Sequence, residues 1–312
     1  MNQDTSHHSA HDADEDARNE ELLIYVDGAL VPKAEAKVSV YDSGFMLGDG
    51  VWEGLRVHNG RLAFLEAHLD RLYEAAYAID LDIGMDRAAL TDALYRTIEA
   101  NQMRDDAHVR LMVTRGRKKK PFQDPRLSIF GSTIVIIAEH SKASDETIRR
   151  GLRLHTVPQH RGLPLTQDPK LNSHSKLNCI LALVHALKAG ADEALMLDPD
   201  GWVNTTNACN FFIVRGGEVW TSTGDYCMNG ITRGHVIDLC RANGIPCLEK
   251  NFSLLETYGA EEAFITGTFG AQTPVFQIDG RRIGKGEPGP VFTRIRSLYR
   301  DLIAKDCAIT RA

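Results

Sequence analysis

The chain has no apolar run approaching the ~20 residues that cross a bilayer as a helix, and its N-terminus has no signal-peptide core. No membrane partner is expected, and the chain reads as a soluble cytoplasmic protein. It has no excess of positive charge: the formal value is -6. That argues against nucleic acid, because binding phosphates needs a basic face. No C-x-x-C pair occurs among its six cysteines, Cys179, Cys209, Cys227, Cys240, Cys247 and Cys307. Reduced thiols are therefore expected, rather than a zinc site or a disulfide framework. No G-x-x-x-x-G-K-[ST] occurs either, which removes the P-loop nucleotide fold. What is present is ordinary for a globular protein, with 43% hydrophobic and 25% charged residues. The length of 312 residues allows two domains, each with its own core.

Residues 1–21 are polar and acidic, have no periodic apolar positions, and read as a disordered tail. His7, His8 and His11 alternate there with acids. A metal ion needs convergent ligands on an ordered frame, so no metal site is assigned. Residues 22–140 form a smaller N-terminal domain, with predicted strands at 22–26, 37–40, 109–114 and 133–138. Helices are predicted at 65–79 and 88–100, the first carrying Leu65, Leu69, Leu72, Ala76 and Ile79 at helical spacing. Residues 141–150 are polar and would serve as a linker. The larger C-terminal domain, 151–312, opens on a strand at 152–157. A helix then carries Leu177, Ile180, Leu181, Val184 and Leu187 on one face, expected to pack inward, and stops at Gly190. A Pro/Asp/Gly hairpin turn at 198–201, four more strands and two more helices complete a two-domain α+β protein.

Four segments carry chemistry. The run from Tyr41 to Gly54 has four glycines interleaved with aromatics, suiting a backbone that folds closely around a ligand or simply a strand–helix connection. Arg71, beside Leu72 on the first helix, is either a snorkelling side chain or a fixed cation for a phosphate. Asn229-Gly230-Ile231-Thr232-Arg233 immediately precedes a helix, where free N–H groups, a hydroxyl and the positive dipole end favour an anion; the plainer alternative is an N-cap threonine. Thr266-Gly267-Thr268-Phe269-Gly270 follows a strand and offers a second glycine-and-hydroxyl turn. One arginine and two such turns, spread over both domains, suit one small phosphorylated ligand.

In this order the motifs resemble the class IV (fold-type IV) aminotransferases, over roughly residues 22–300. That family includes branched-chain aminotransferases, D-amino-acid transaminases and aminodeoxychorismate lyases. The resemblance implies pyridoxal 5'-phosphate as cofactor, a homodimer, and an amino acid and a 2-oxo acid as partners. Carried over by position, Arg71, Ile231, Thr232 and Thr268 would hold the cofactor phosphate, and Trp52 would line the substrate side. His108 and Arg110 stand where branched-chain members place tyrosine and arginine near the substrate carboxylate. Arg115 stands where D-amino-acid transaminases place an arginine for it, although Arg115 to Lys120 otherwise read as a solvated basic loop.

Two positions depart from the family. Counting back from Gly190 puts Asn172, or Leu171 with branched-chain spacing, where the family has the lysine that binds the cofactor covalently. The neighbouring lysines are Lys170 and Lys176. Lys176 is favoured, because four residues after Asn172 is one helical turn on the same face. Serines 173 and 175 could cap that helix, and its positive end would favour a neutral amine. Lys170 follows Asp168-Pro169 as a loop residue does. The second departure is Thr205, which replaces the glutamate that pairs with the cofactor's ring nitrogen; a hydroxyl there can only hydrogen-bond a neutral ring. The expected function is transamination, with branched-chain L-amino acids and 2-oxoglutarate first. D-amino acids or a lyase reaction come next, and a cofactor-binding protein with little catalysis is the rival.

Overall fold

The computed structural model describes residues 9–13 and 15–308; the other positions, His7 and His8 among them, lie outside the described residues. The described residues 15–142, 171–176 and 303–308 form one compact unit, and 9–13, 143–170 and 177–302 form another.

In the N-terminal unit six strands make one antiparallel sheet: β1 (Leu23–Val26), β2 (Ala29–Pro32), β3 (Gly50–His58), β4 (Arg61–Leu62), β5 (Ala107–Thr114) and β6 (Thr133–His140). Their order is β2-β1-β6-β5-β3-β4. Strand β5 shows why the sheet has two unlike faces. Ala107, Val109, Leu111 and Val113 are buried, while the alternating His108, Arg110 and Met112 are only partly so. The apolar row packs with Leu69 and Leu72 of α2 (Leu65–Ala78) and Leu90 and Leu94 of α3 (Arg87–Ala100) in one core, leaving a second, partly exposed face that carries His108 and Arg110 beside Trp52, Met112, Val135 and Ile137. A short helix α1 (Ser43–Leu47) precedes β3. The predicted strand at 37–40 does not form. Val38 and Val40 stay exposed on irregular backbone, because alternation makes a strand only where a neighbouring edge accepts its hydrogen bonds.

In the C-terminal unit α4 (Asp145–Arg150), N-capped by Ser144, occupies the predicted linker. Nine strands follow: β7 (Leu152–Thr156), β8 (Glu193–Leu197), β9 (Val203–Thr206), β10 (Asn210–Arg215), β11 (Glu218–Thr221), β12 (Cys247–Glu249), β13 (Glu262–Gly267), β14 (Ala271–Ile278) and β15 (Arg281–Arg282). They form a mixed sheet ordered β12-β11-β10-β13-β14-β7-β8-β9, with β15 on β14 and β9 pairing back onto β10. Phe212 and Phe264 stack at 5.0 Å on one face, under α6 (Ile231–Ala242) and α8 (Pro290–Asp306). Phe211, Ile213 and Ile265 fill the other face with Phe252, next to α7 (Leu254–Tyr258).

Helix α5 (Leu177–Lys188) reverses an expectation. Its predicted inward stripe faces out: Leu177 is 66% and Ile180 55% exposed, while Ala182 and Ala186 are buried against Ala194 and Met196 of β8. Small residues allow close helix–sheet approach, and periodicity reveals a face without revealing what covers it.

The predicted disordered tail is also corrected in part. Asn19, in a short turn at Ala17–Glu20, exchanges two hydrogen bonds with the His140 main chain, and residues 9–13 lie along the C-terminal unit.

Candidate active site

The glycine-rich segment folds closely around the protein itself. Gly48 ends α1 at φ 68°, and a Cβ there would meet Ser175 Oγ at 2.7 Å. A Cβ on Gly50 would come within 2.5 Å of the Val113 carbonyl oxygen and 3.3 Å of the His174 ring. The close neighbour is therefore the chain at 172–175, which runs along β3 as an added edge. Trp52 N donates to Asn172 O (3.0 Å), His174 N to Gly50 O (3.0 Å), and Val51 bridges Ser173.

That edge brings Trp52, Arg110 and Lys176 together. The Arg110 guanidinium lies 3.9 Å from the Trp52 ring centroid, and Lys176 Nζ 5.7 Å from it. Trp52 Nε1 donates to Ser173 O at 3.0 Å, which fixes the indole. Burial lowers the pKa of Arg110, and burial, followed by the charges of Arg110 and Lys176, lowers that of His174. His174 Nε2 lies 3.0 Å from Val51 O, an opposing influence. The result is a cationic, aromatic face suited to an anionic group. His108 lies on the same side of β5, against Gly54.

Asn172, one of the two positions (with Leu171) at which the resemblance would put the lysine, is buried. Its Nδ2 donates to Trp52 O at 2.6 Å, and its Oδ1 has no hydrogen-bond partner among the described residues. The ladder at 172–174 is extended and α5 starts only at Leu177, so Lys176 does not lie one helical turn from Asn172. At ~3.3 Å per extended residue the two positions are well apart. The Ser175 hydroxyl donates to Gly48 O (3.1 Å), away from the capping role expected of it. Lys170 lies in the C-terminal unit, exposed in a loop where its N–H donates to Asp168 Oδ1 (2.9 Å).

Arg71 is no snorkelling side chain. Its Nε and Nη2 donate to the two oxygens of Glu53, both at 2.7 Å, and His68 Nδ1 lies 2.7 Å from Glu53 Oε2. Glu53 is 1% exposed, and its pKa is lowered because hydrogen bonds from Arg71 and His68 outweigh the opposing, larger single influence of burial. Arg71 Nη1 is buried with no partner among the described residues. A carboxylate that clamps two guanidinium nitrogens fixes the group and leaves the third nitrogen able to donate to an anion. Glu53 and His68 escaped the sequence reading, although a signal was available. Glu53 directly follows Trp52, and His68 precedes Arg71 by about one turn of the same helix. Arg115, in contrast, is not free for a substrate carboxylate. It chelates Asp49 at 2.8 and 3.1 Å and donates to the carbonyls of Ile79 and Asp80. Nor is its loop fully solvated: Lys118 is buried and donates to Asp124 O.

In the C-terminal unit the N-cap of α6 is Gly230, without a side-chain cap, so Thr232 is a first-turn residue and not the cap. A Cβ on Gly230 would strike Asn210 Oδ1. Thr232 is buried, and Tyr299 OH donates to its Oγ1 at 3.4 Å. Ile231 and Thr232 thus open a helix whose first N–H groups favour an anion. Thr268 sits in the turn between β13 and β14. At the foot of that turn Thr266 faces Gln272 across the ladder; both are buried, and Thr266 Oγ1 and both amide atoms of Gln272 have no partner among the described residues. Thr205 is buried on β9 and donates its hydroxyl proton to Cys209 O at 2.7 Å, leaving only its lone pairs for a ligand.

The family described as Amino-transferase class IV matches residues 50–278. The chain is 40% identical over 284 residues to branched-chain-amino-acid aminotransferase-like protein 2 of Arabidopsis thaliana, covering 91% of this chain but 51% of that protein. It therefore spans about half the length of this plant relative. It is also 30% identical to a D-alanine aminotransferase of Bacillus licheniformis, over 93% of this chain and 100% of that one. Among solved structures, the T.th. branched-chain amino acid aminotransferase with pyridoxamine 5'-phosphate superposes with a TM-score of 0.85 at 31% identity, covering 91% and 95% of the two chains. With matched residues reaching from the Trp52 face through the Thr266–Gly270 turn, this chain belongs to the class IV aminotransferase family.

Proposed function

We propose that the protein is a pyridoxal-phosphate-dependent aminotransferase, exchanging the amino group of a branched-chain L-amino acid with a 2-oxo acid such as 2-oxoglutarate. The observation that carries this reading is Arg71 Nη1, a buried guanidinium donor left without a partner while Glu53 holds the other two nitrogens. That donor fits a phosphate. Ile231, Thr232 and Thr268 are the other residues we assign to the same phosphate. Two positions fit the cofactor less well: Asn172 offers no amine, and Thr205, its proton given to Cys209 O, cannot donate to the neutral ring nitrogen expected from the sequence and could only accept from a protonated one. Pyridoxal phosphate, when bound, supplies the reactive carbonyl and the electron-withdrawing ring. Lys176 Nζ is our candidate to take and return the substrate's α-proton, held near Trp52. Arg110, partly buried over the same ring, is the candidate for the substrate carboxylate. The outward apolar stripe of α5 supports a homodimer, and a cytoplasmic location accords with a chain in which no helix among the described residues is long and apolar enough to cross a membrane.

A second reading, a cofactor-binding protein with little catalysis, is favoured by Asn172 and Thr205. Absorbance of the purified protein with pyridoxal phosphate, before and after a panel of L- and D-amino acids, separates the two. Bleaching by leucine or valine supports the aminotransferase, bleaching only by D-alanine moves the substrate class, and an unresponsive bound cofactor leaves the second reading. Borohydride reduction and peptide mapping should place the label on Lys176. A label on Lys170 would transfer the role to that residue.

A further inference from the structure

Residues 9–13 are bound to the C-terminal unit through specific contacts to Glu193, Ala143 and Ser144, and between these contacts they pass beside Phe269 and Gly270. Ser9 Oγ and Ala10 N both donate to Glu193 Oε1, at 3.0 and 2.9 Å. Glu193 is 1% exposed, and its Oε2 has no hydrogen-bond partner among the described residues. A buried carboxylate is costly unless donors reach it, so these two bonds answer a need of the sheet as well as of the segment. Ala10 is itself buried and belongs to the apolar core that Leu195, Cys209 and Ile265 form on one sheet face. Beyond it the backbone continues as an added edge: Ala13 bridges Ala143 in antiparallel sense, and Ser144 N donates to Asp12 O at 3.2 Å.

Between these two anchors the segment crosses the turn. The His11 ring lies 5.8 Å from that of Phe269. A Cβ on Gly270 would stand 3.2 Å from Ala10 O, so a side chain there would crowd the bound segment. A main-chain donor on a carboxylate, a small side chain in an apolar recess and a strand-like bridge together make up a peptide-docking groove.

We propose that this groove is an intrachain docking site for residues 9–13, and that the docked segment is a strap that closes over the Thr266–Gly270 turn and slows exchange of the phosphorylated ligand bound there. The docking stands on the contacts above. Its effect on ligand exchange rests on the cofactor reading, in which Thr268 of that turn holds the phosphate. Because the strap and its groove belong to one chain, its local concentration is high and a few bonds suffice to keep it seated.

Hydrogen exchange of the full chain tests the docking directly. The Ala10 amide and those of residues 266–271 should be protected, the former far above the rate of an unstructured peptide. Removal of residues 1–13, and separately Ala10→Arg, which cannot fit the buried site, should each raise exchange at the turn amides of residues 268–270, which lie between the paired residues of β13 and β14. Stopped-flow mixing with pyridoxal phosphate should then show association and dissociation both faster by about tenfold than in the full chain, as expected when a lid is removed. An Ala10 amide exchanging at peptide rates overturns the docking. Unchanged ligand rates alongside exposed turn amides overturn the strap's role. If pyridoxal phosphate binds none of the three proteins, the cofactor reading and the strap's role fall together, while the amide measurements still decide the docking.

Discussion

The two sides of β3 carry groups built in opposite ways. Glu53 and Trp52 are consecutive and so point to opposite faces. On the helix face, Glu53, His68 and Arg71 form a closed, buried set in which every short contact is charged or hydrogen-bonded and one guanidinium nitrogen is left over. On the other face, Trp52 gathers Arg110 and Lys176 by ring contacts at 3.9 and 5.7 Å, and its carbonyl accepts from Asn172 Nδ2. The first group is held by short, charged hydrogen bonds among buried side chains, and in the proposed function it is the mount for the cofactor phosphate. The second, where the proposed function places the reacting amine, is held by longer ring contacts. The comparison teaches that one strand can present a tightly hydrogen-bonded charged cluster on one face and a looser cationic–aromatic one on the other.

Breaking the rigid group should have the largest effect. Glu53→Gln removes the charge that compensates buried Arg71, and the loss of one partner from a buried ion pair costs about 3–5 kcal/mol. Urea unfolding at pH 7 should show it. The pH dependence has a defined sign. Glu53 has a lowered folded-state pKa, so its stabilising contribution is present above its unfolded value near 4.5 and is lost as the pH falls through the lower folded value. Glu53→Gln should lose that part of the acid sensitivity. A variant as stable as the parent at pH 7 would mean that the pair contributes no more than a surface one.

Arg71→Ala should cost about 2 kcal/mol or more in affinity for pyridoxal phosphate, through loss of a charge-assisted contact. Equilibrium dialysis measures it, and unchanged retention would return Arg71 to a purely structural role. The smallest effect is expected at Thr205. Thr205→Val deletes one buried hydroxyl-to-carbonyl bond, worth about 1 kcal/mol of stability. If the ring nitrogen also uses that oxygen, the bound cofactor's absorbance maximum should move as well. A stability change with no spectral change would confine Thr205 to its bond with Cys209.

Helix α2 and the buried row of β5 were legible in the sequence because their period matches a face that the unit's own core covers. The α5 stripe showed the same period and pointed the other way, since Ala182 and Ala186 reach the sheet first. Arg71 and Arg115 illustrate the same limit for charge. Both are arginines near glycine-rich segments, yet one keeps a free donor and the other spends its guanidinium on Asp49 and two carbonyls. Residue type identifies a candidate cation, but only the neighbours that arrive from distant sequence decide whether it is available.

Local chemistry by itself determined the α+β class, the order of motifs along the chain and the loop character of Lys170, because each rests on residues close in sequence, whereas the start of α6 at Ile231 lies two residues before the Arg233 start read from the sequence. Tertiary structure alone decided that 171–176 extends as an edge of β3, that Glu53 clamps Arg71, that α5 turns its leucines outward, and that residues 9–13 bind Glu193 across 183 residues of chain. Each of these depends on which groups remain unsatisfied once the two cores have formed, and a buried carboxylate or an unpaired strand edge takes its partner from wherever the fold delivers one.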